Sequence, residues 1–184
     1  HIAGVHLLDE ETGGYNVEYV KKFLPNSNCQ LVHLAMRQQG LMVVPRNEKG
    51  IVGLDDLARP DITFINRQRG SGTRMLLDYQ MGKHGIRPEQ VSGYEKEVGT
   101  HMAVAASIAA GTVDTGLGVK AAALALGLDF IPIAEEQYDL LLNFVPTDER
   151  LRAIIDILQS HEFRHEVEEL GGYDLHDAGK LIEI

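Results

Sequence analysis

Apolar and polar positions fall along this chain in blocks that switch between a strand-like and a helix-like period. Ile2–Leu8 is a short apolar run that predicts a buried strand, ended by the polar loop Asp9-Glu10-Glu11-Thr12-Gly13-Gly14. Asn16 is placed to cap a short helix, Val17–Phe23, which Pro25-Asn26 terminates. Gln30–Met36 and Leu41–Val44 predict two strands, parted by Arg37-Gln38-Gln39-Gly40. A turn-rich break at Pro45–Gly50 follows, then one helical turn at Leu54–Leu57 before Pro60. Asp61–Ile65 predicts a strand and Met75–Met81 a helix, which the stretch from Gly82 to Pro88 ends.

The second half continues the alternation. Thr100 is a good N-cap, the next stretch is alanine-rich, and Gly111 suits the position just past a helix end, so residues 100–111 predict a helix. Thr115–Gly118 predicts a glycine-bracketed strand or bend, and Lys120–Leu126 an apolar helix. Leu128–Ile133 and Tyr138–Val145 predict two more strands. The tail predicts helices at Glu149–Leu158 and Glu162–Leu170, the second capped by Ser160 and stopped by Gly171-Gly172. Strands that alternate with helices and are apolar on both faces predict an α/β fold with a largely parallel sheet or sheets. Gly-Tyr followed by Asn, Glu or Asp recurs at 14–16, 93–95 and 172–174, but the unequal spacing marks local turns and not a repeat.

Charge changes the picture at one place. The 184 residues carry a formal net charge of -10, which argues against nucleic-acid or anionic-membrane binding. Against that background Arg67, Arg69 and Arg74 cluster around Gly70-Ser71-Gly72-Thr73, between the Asp61–Ile65 strand and the Met75–Met81 helix. A strand, a Gly/Ser/Thr turn and a helix N-terminus can hold an anion, because the first helical N–H groups lack intrahelical partners and the dipole favours negative charge. The competing reading is a plain strand-to-helix turn with solvated arginines. The stretch is neither a Walker loop nor a dinucleotide fingerprint. Gly99-Thr100-His101 opens a second helix in the same way, and two converging helix N-termini make a strongly donating cage. His101 is a candidate donor there, although a histidine in a helix's first turn is more often structural.

Other constellations favour plainer readings. Glu95-Lys96-Glu97 and Glu135-Glu136 read as solvated charged faces before acid/base pairs. His161 and His165 lie four apart among glutamates, which suits an exposed amphipathic face better than a metal site. Cys29 is the only cysteine, so no intrachain disulfide or cysteine cage is available. No Ser/His/Asp or Cys/His arrangement and no Gly-x-Ser-x-Gly elbow occurs, and no metal or cofactor is expected.

A set of ordered matches carries a family resemblance. Asn66-Arg67-Gln68-x-Gly70-Ser71-Gly72-Thr73-Arg74-x-Leu76-Leu77-Asp78 leads, followed by Gly93-Tyr94-Glu95, Thr100-His101-x-Ala103-Val104-Ala105-Ala106 and Gly116-Leu117-Gly118. Gly127-Leu128-Asp129-Phe130-Ile131-Pro132, Ala3-Gly4-x-His6-Leu7-Leu8-Asp9, Tyr15-Asn16, Arg37-Gln38-Gln39-Gly40-Leu41 and Gly171-Gly172-Tyr173-Asp174 extend them. Together they resemble the type-2 periplasmic-binding-protein-like domain related to molybdate-binding proteins. That domain occurs fused to molybdopterin molybdotransferases and to helix-turn-helix regulators.

The resemblance implies two α/β lobes with a ligand cleft: 1–45 and 138–184 as the first lobe with crossing strands, and 46–137 as the second. Leu41–Val44 and the segment after Tyr138 would be the crossings. It further implies that the first lobe is N-terminally incomplete, because family members carry a strand and ligand donors before Ala3-Gly4. The exposed sheet edge would then be open to a second copy, a homo-oligomer. Carried over by position, the ligand set is Ser71, Gly72, Thr73, Thr100 and His101, with Tyr138 as the hinge tyrosine. Arg67 and Arg74 are further candidates from local charge. The implied function is a binding or sensing domain, not an enzyme, for molybdate, tungstate or a molybdenum-cofactor species. An alternative is an accessory domain of a molybdopterin-biosynthesis enzyme that binds pterin phosphate or a protein partner; a third is a structural or dimerising module. No run of about 18 apolar residues spans a membrane, and a cytoplasmic location is the expectation.

Overall fold

The computed structural model describes residues 1–184. They divide into unit 1, His1–Arg37 with Glu136–Ile184, and unit 2, Gln38–Glu135. Two long strands, β2 (Gln30–Val43) and β6 (Asp129–Leu142), run unbroken through the division points. The divisions at 37/38 and 135/136 differ from those implied by the resemblance, after 45 and after 137.

Unit 2 is built around three short parallel strands, β3 (Phe64–Arg67), β4 (Glu97–Val98) and β5 (Thr115–Val119). β3 pairs in parallel with β4 and with β5, while β5 pairs antiparallel with β2, Leu41 opposite Leu117. Successive strand side chains point to opposite faces, and the core splits accordingly. Leu41, Val43 and Phe64 pack with Leu77 and Met81 of helix α2 (Gly72–Lys83). Met42 and Ile65 pack with Val104, Ala105 and Ile108 of α3 (His101–Ala109) and with Ala122 and Ala123 of α4 (Lys120–Ala125). Each large side chain buried this way contributes roughly 1.5–3 kcal/mol. Helices on both faces of parallel strands put the N-termini of α2, α3 and α4 at one edge, the carboxyl ends of β3, β4 and β5. In open α/β sheets that edge is where ligands bind.

Unit 1 is antiparallel where its strands pair. β1 (Ile2–Val5) lies against β6 with Ile2 opposite Leu142, and β7 (Tyr173–Asp174) and β8 (Leu181–Ile182) pair with β2. Helices α5 (Glu149–Gln159) and α6 (His161–Leu170) cover a core of Val32, Leu142, Phe144, Leu151 and Leu158. Asp148 caps α5, and its bonds from the Arg150 side chain and backbone N–H hold its carboxyl down at about 2. Ser160 caps α6, accepting from the Phe163 N–H at 3.2 Å.

Five expectations need correction. The pairing is not largely parallel: β3 pairs in parallel with β4 and β5, while β1–β6, β2–β5, β2–β7 and β2–β8 are antiparallel. The chain is not broken at Arg37–Gly40: β2 is one strand of 14 residues. Its polar residues are satisfied inside, with Arg37 Nε donating to Glu136 at 2.5 Å and Gln39 Nε2 to Thr73 Oγ1 at 3.2 Å. Gly40 is there because a Cβ would collide with the Ile131 carbonyl oxygen and the Phe130 ring. The strands expected at Leu128–Ile133 and Tyr138–Val145 are likewise one strand, β6. β1 is not buried: it pairs only with β6, and Ile2 is 54% exposed. Asn16 does not cap helix α1 (Val17–Phe23); it is buried at φ 64 and bonds Leu7 N, Val5 O and the Asp139 carboxylate.

Candidate functional site

The stretch after β3 is fixed by hydrogen bonds to its neighbour β4. Gln68 N–H donates to Val98 O at 3.1 Å, which extends the parallel pairing by one residue. Gly70 takes a positive φ of 83, the left-handed region that a turn into α2 requires and glycine adopts without strain. Ser71 then caps α2, its Oγ accepting from the Arg74 N–H at 3.2 Å. Thr73 lies in the first turn, 1% exposed, with its Oγ1 accepting from Gln39. Gly72 is buried beside it.

The second helix start is built alike. β4 ends at Val98, Gly99 turns the chain, and Thr100 caps α3 by accepting from the Ala103 N–H at 3.0 Å. Arg67 Nη2 donates to the Gly99 carbonyl at 3.0 Å and so ties the end of β3 to the start of α3. His101 packs its Nδ1 against β5: a Cβ on Gly118 would sit 3.3 Å from it. The caps take up the Arg74 and Ala103 amides. The N–H groups of Gly72, Thr73 and Met102 come earlier in their helices, where no intrahelical carbonyl reaches them.

The hydroxyls of Ser71, Thr73 and Thr100 share a feature. Each already accepts a hydrogen bond from the protein, which leaves its proton for an outside acceptor. The edge therefore offers donors, from hydroxyls and backbone alike.

Arg74 is placed differently from the expectation of a ligand contact. It is 5% exposed, its Nε donates to Asp78 at 3.1 Å, its Nη1 donates to Glu97 at 3.1 Å, and it stacks 4.1 Å from the Tyr94 ring centre. Burial pulls its pKa down, but Tyr94 and Asp78 outweigh that, so it stays above the ordinary value and charged. Burial, with the hydrogen bond to Asp78, pushes the Tyr94 hydroxyl up. Tyr138 belongs to unit 1, half-buried, with the Arg37 guanidinium 4.5 Å from its ring centre, His6 edge-on at 5.5 Å and Gly4 at its hydroxyl. All the other candidates lie in unit 2.

Three polar residues near the division points and the edge stand out. Glu97 is exposed, as expected of a solvated face, and from there it accepts from Arg74 and from the Arg69 N–H. Glu136 does not lie on a solvated face: it is 1% exposed, accepting from Arg37 and within 2.9 Å of His6 Nδ1. Gln39, expected between two strands, lies inside β2 and donates to Thr73 Oγ1. Glu95 is exposed and pairs with Arg69, as a surface charge would. His161 and His165 stack on α6, and no group of three or more metal-ligating side chains gathers anywhere. No helix is long and apolar enough to cross a membrane.

A family model described as a PBP superfamily domain matches residues 1–159. The protein YvgK of Bacillus subtilis (strain 168) is 40% identical over 181 residues, which is 98% of this chain and 58% of YvgK. The chain thus spans less than two thirds of that relative's length. A substrate-binding protein with bound phosphate from Clostridium perfringens superposes with a TM-score of 0.64 at 12% identity, over 100% of this chain and 79% of its own. The tungstate ABC transporter structure from Geobacter sulfurreducens gives 0.62 at 14% identity, over 91% and 76%. At these identities the two structures show a shared fold.

Proposed function

The chain belongs to the PBP superfamily, and on that premise we propose that it is a ligand-binding domain for a small tetrahedral oxyanion, molybdate or tungstate. In this reading unit 2 holds the anion at the first turns of α2 and α3. The amides of Gly72, Thr73 and Met102 donate to it together with the hydroxyls of Ser71, Thr73 and Thr100, and His101 stands beside them. Arg67 fastens Gly99 and adds positive field, while Arg74 braces α2 from behind and does not touch the ligand.

The observation that carries this is the donor character of the edge. An anion without protons uses every donor offered. Hydrogen phosphate carries a proton that needs an acceptor; the donors of this reading are backbone amides and hydroxyls, and the acidic group closest in sequence to the α3 cap, Glu97, points its two oxygens to Arg69 and Arg74. Leaving that proton unsatisfied costs about 1–3 kcal/mol, a roughly tenfold to hundredfold handicap. The tungstate protein among the structural relatives supports the choice of ligand class, and the phosphate-bound one sets the competitor to test.

Titration calorimetry with molybdate, tungstate, sulfate and phosphate tests it. Molybdate and tungstate are expected to bind at least about tenfold more tightly than phosphate at neutral pH. Heat with phosphate alone, or with none of the four, overturns it.

A further inference from the structure

The Glu97 carboxylate grips the anion-site loop from both sides. Its Oε2 accepts from the backbone N–H of Arg69 at 3.3 Å, before Ser71-Gly72-Thr73, and its Oε1 accepts from Arg74 Nη1 at 3.1 Å, after it. Glu97 itself lies on β4, in register with Asn66 of β3, and the chain runs from it through Gly99 straight into the α3 cap. One side chain therefore ties the first turn of α2 to the strand that delivers α3. The Gln68–Val98 and Arg67–Gly99 bonds join the same two segments through other atoms.

A carboxylate is electrostatically wrong for the edge of an anion site. It opposes the ligand's charge, and here two guanidiniums, Arg74 at 3.1 Å and Arg69 at 3.5 Å, offset it. Its presence makes sense as geometry. We propose that Glu97 is a positioning residue that sets the spacing between the first turns of α2 and α3, and with it the size of oxyanion that both can reach at once. This rests on the oxyanion reading above.

The alternative is that the Arg74–Glu97 pair only stabilises the fold. A neighbouring bond separates the two. Arg74 also pairs with Asp78, but that bond lies within α2 and cannot set the distance to α3. In Asp78→Asn the amide oxygen can still accept from the Tyr94 hydroxyl.

The test compares Glu97→Gln, Asp78→Asn and the parent chain. Sulfate and molybdate are both dianions at neutral pH and differ in size, so removing one nearby negative charge shifts both affinities alike and cancels in their ratio. The ratio then reads spacing. Glu97→Gln is expected to lower the preference for molybdate over sulfate about tenfold, and Asp78→Asn to leave it within about twofold. Without any anion, hydrogen exchange at the capped amides of Arg74 and Ala103 is expected to quicken together in Glu97→Gln. An unchanged ratio in Glu97→Gln, or faster exchange at Arg74 alone, overturns the proposal. If the parent chain binds neither anion, the oxyanion reading falls and this proposal with it, whereas an unchanged ratio in a chain that binds both overturns the proposal alone.

Discussion

Replacing Asp139 by alanine is expected to destabilise the protein by about 2–4 kcal/mol, because it leaves several buried hydrogen-bond donors without their acceptor. Asp139 is 0% exposed and its carboxylate gathers Asn16 Nδ2 at 2.6 Å, Gln137 Nε2 at 2.8 Å and His33 Nδ1 at 2.9 Å. Asn16 is itself in the left-handed region, which a non-glycine residue adopts at a cost and keeps only when its surroundings fix it. Alanine would remove the acceptor these three groups share, in the interior, and release Asn16. The asparagine variant keeps the size and one acceptor oxygen, so about half the loss is expected. Urea unfolding at neutral pH reads the effect as a lowered midpoint with an unchanged slope. A loss below about 1 kcal/mol for alanine would show that unit 1 does not depend on this cluster.

Thr73→Val is expected to weaken molybdate binding by about tenfold to hundredfold, because a hydrogen bond to a charged group contributes about 1.5–3 kcal/mol. Valine keeps the β-branched shape in a first-turn position that is 1% exposed, and removes only the hydroxyl. It also removes the oxygen to which Gln39 Nε2 donates, so stability falls as well and the titration belongs well below the unfolding midpoint. Serine restores the hydroxyl and is expected to recover affinity to within a few-fold, which a purely structural effect of Thr73 would not predict. Ser71→Ala carries a cap loss of about 1 kcal/mol in addition to its effect on the anion. Its combination with Thr73→Val is expected to be less than additive, since both act in one turn. Parent-like affinity in Thr73→Val would remove Thr73 from the ligand set.

The helices of unit 2 were legible because their ends are written locally. Ser71 and Thr100 each cap with their own hydroxyl, and Gly111, at φ 69, follows the end of α3. The candidate edge was legible for the same reason, since glycine and hydroxyl chemistry sits within a few residues of each helix start. Polar residues whose partners lie far away in sequence are not legible in this way. Arg37, Gln39 and Glu136 look like turn or surface residues, and each is buried against a partner that no local pattern reveals. Such residues make the sequences of β2 and β6 look like two strands each, although each is one. Asn16 shows the converse: a residue with good capping chemistry was drawn off by a carboxylate 123 positions away. Arg74 followed suit, since its charge suggested a ligand contact while Asp78, Glu97 and Tyr94 had already claimed it.

The central claim is that an oxyanion sits where α2 and α3 begin. Crystals grown with tungstate test it most directly, because the metal's anomalous signal marks the anion without ambiguity. The account predicts one peak within hydrogen-bond reach of the Gly72, Thr73 and Met102 amides and the Ser71 and Thr100 hydroxyls. A peak confined to other residues, with this edge holding only water, would contradict it.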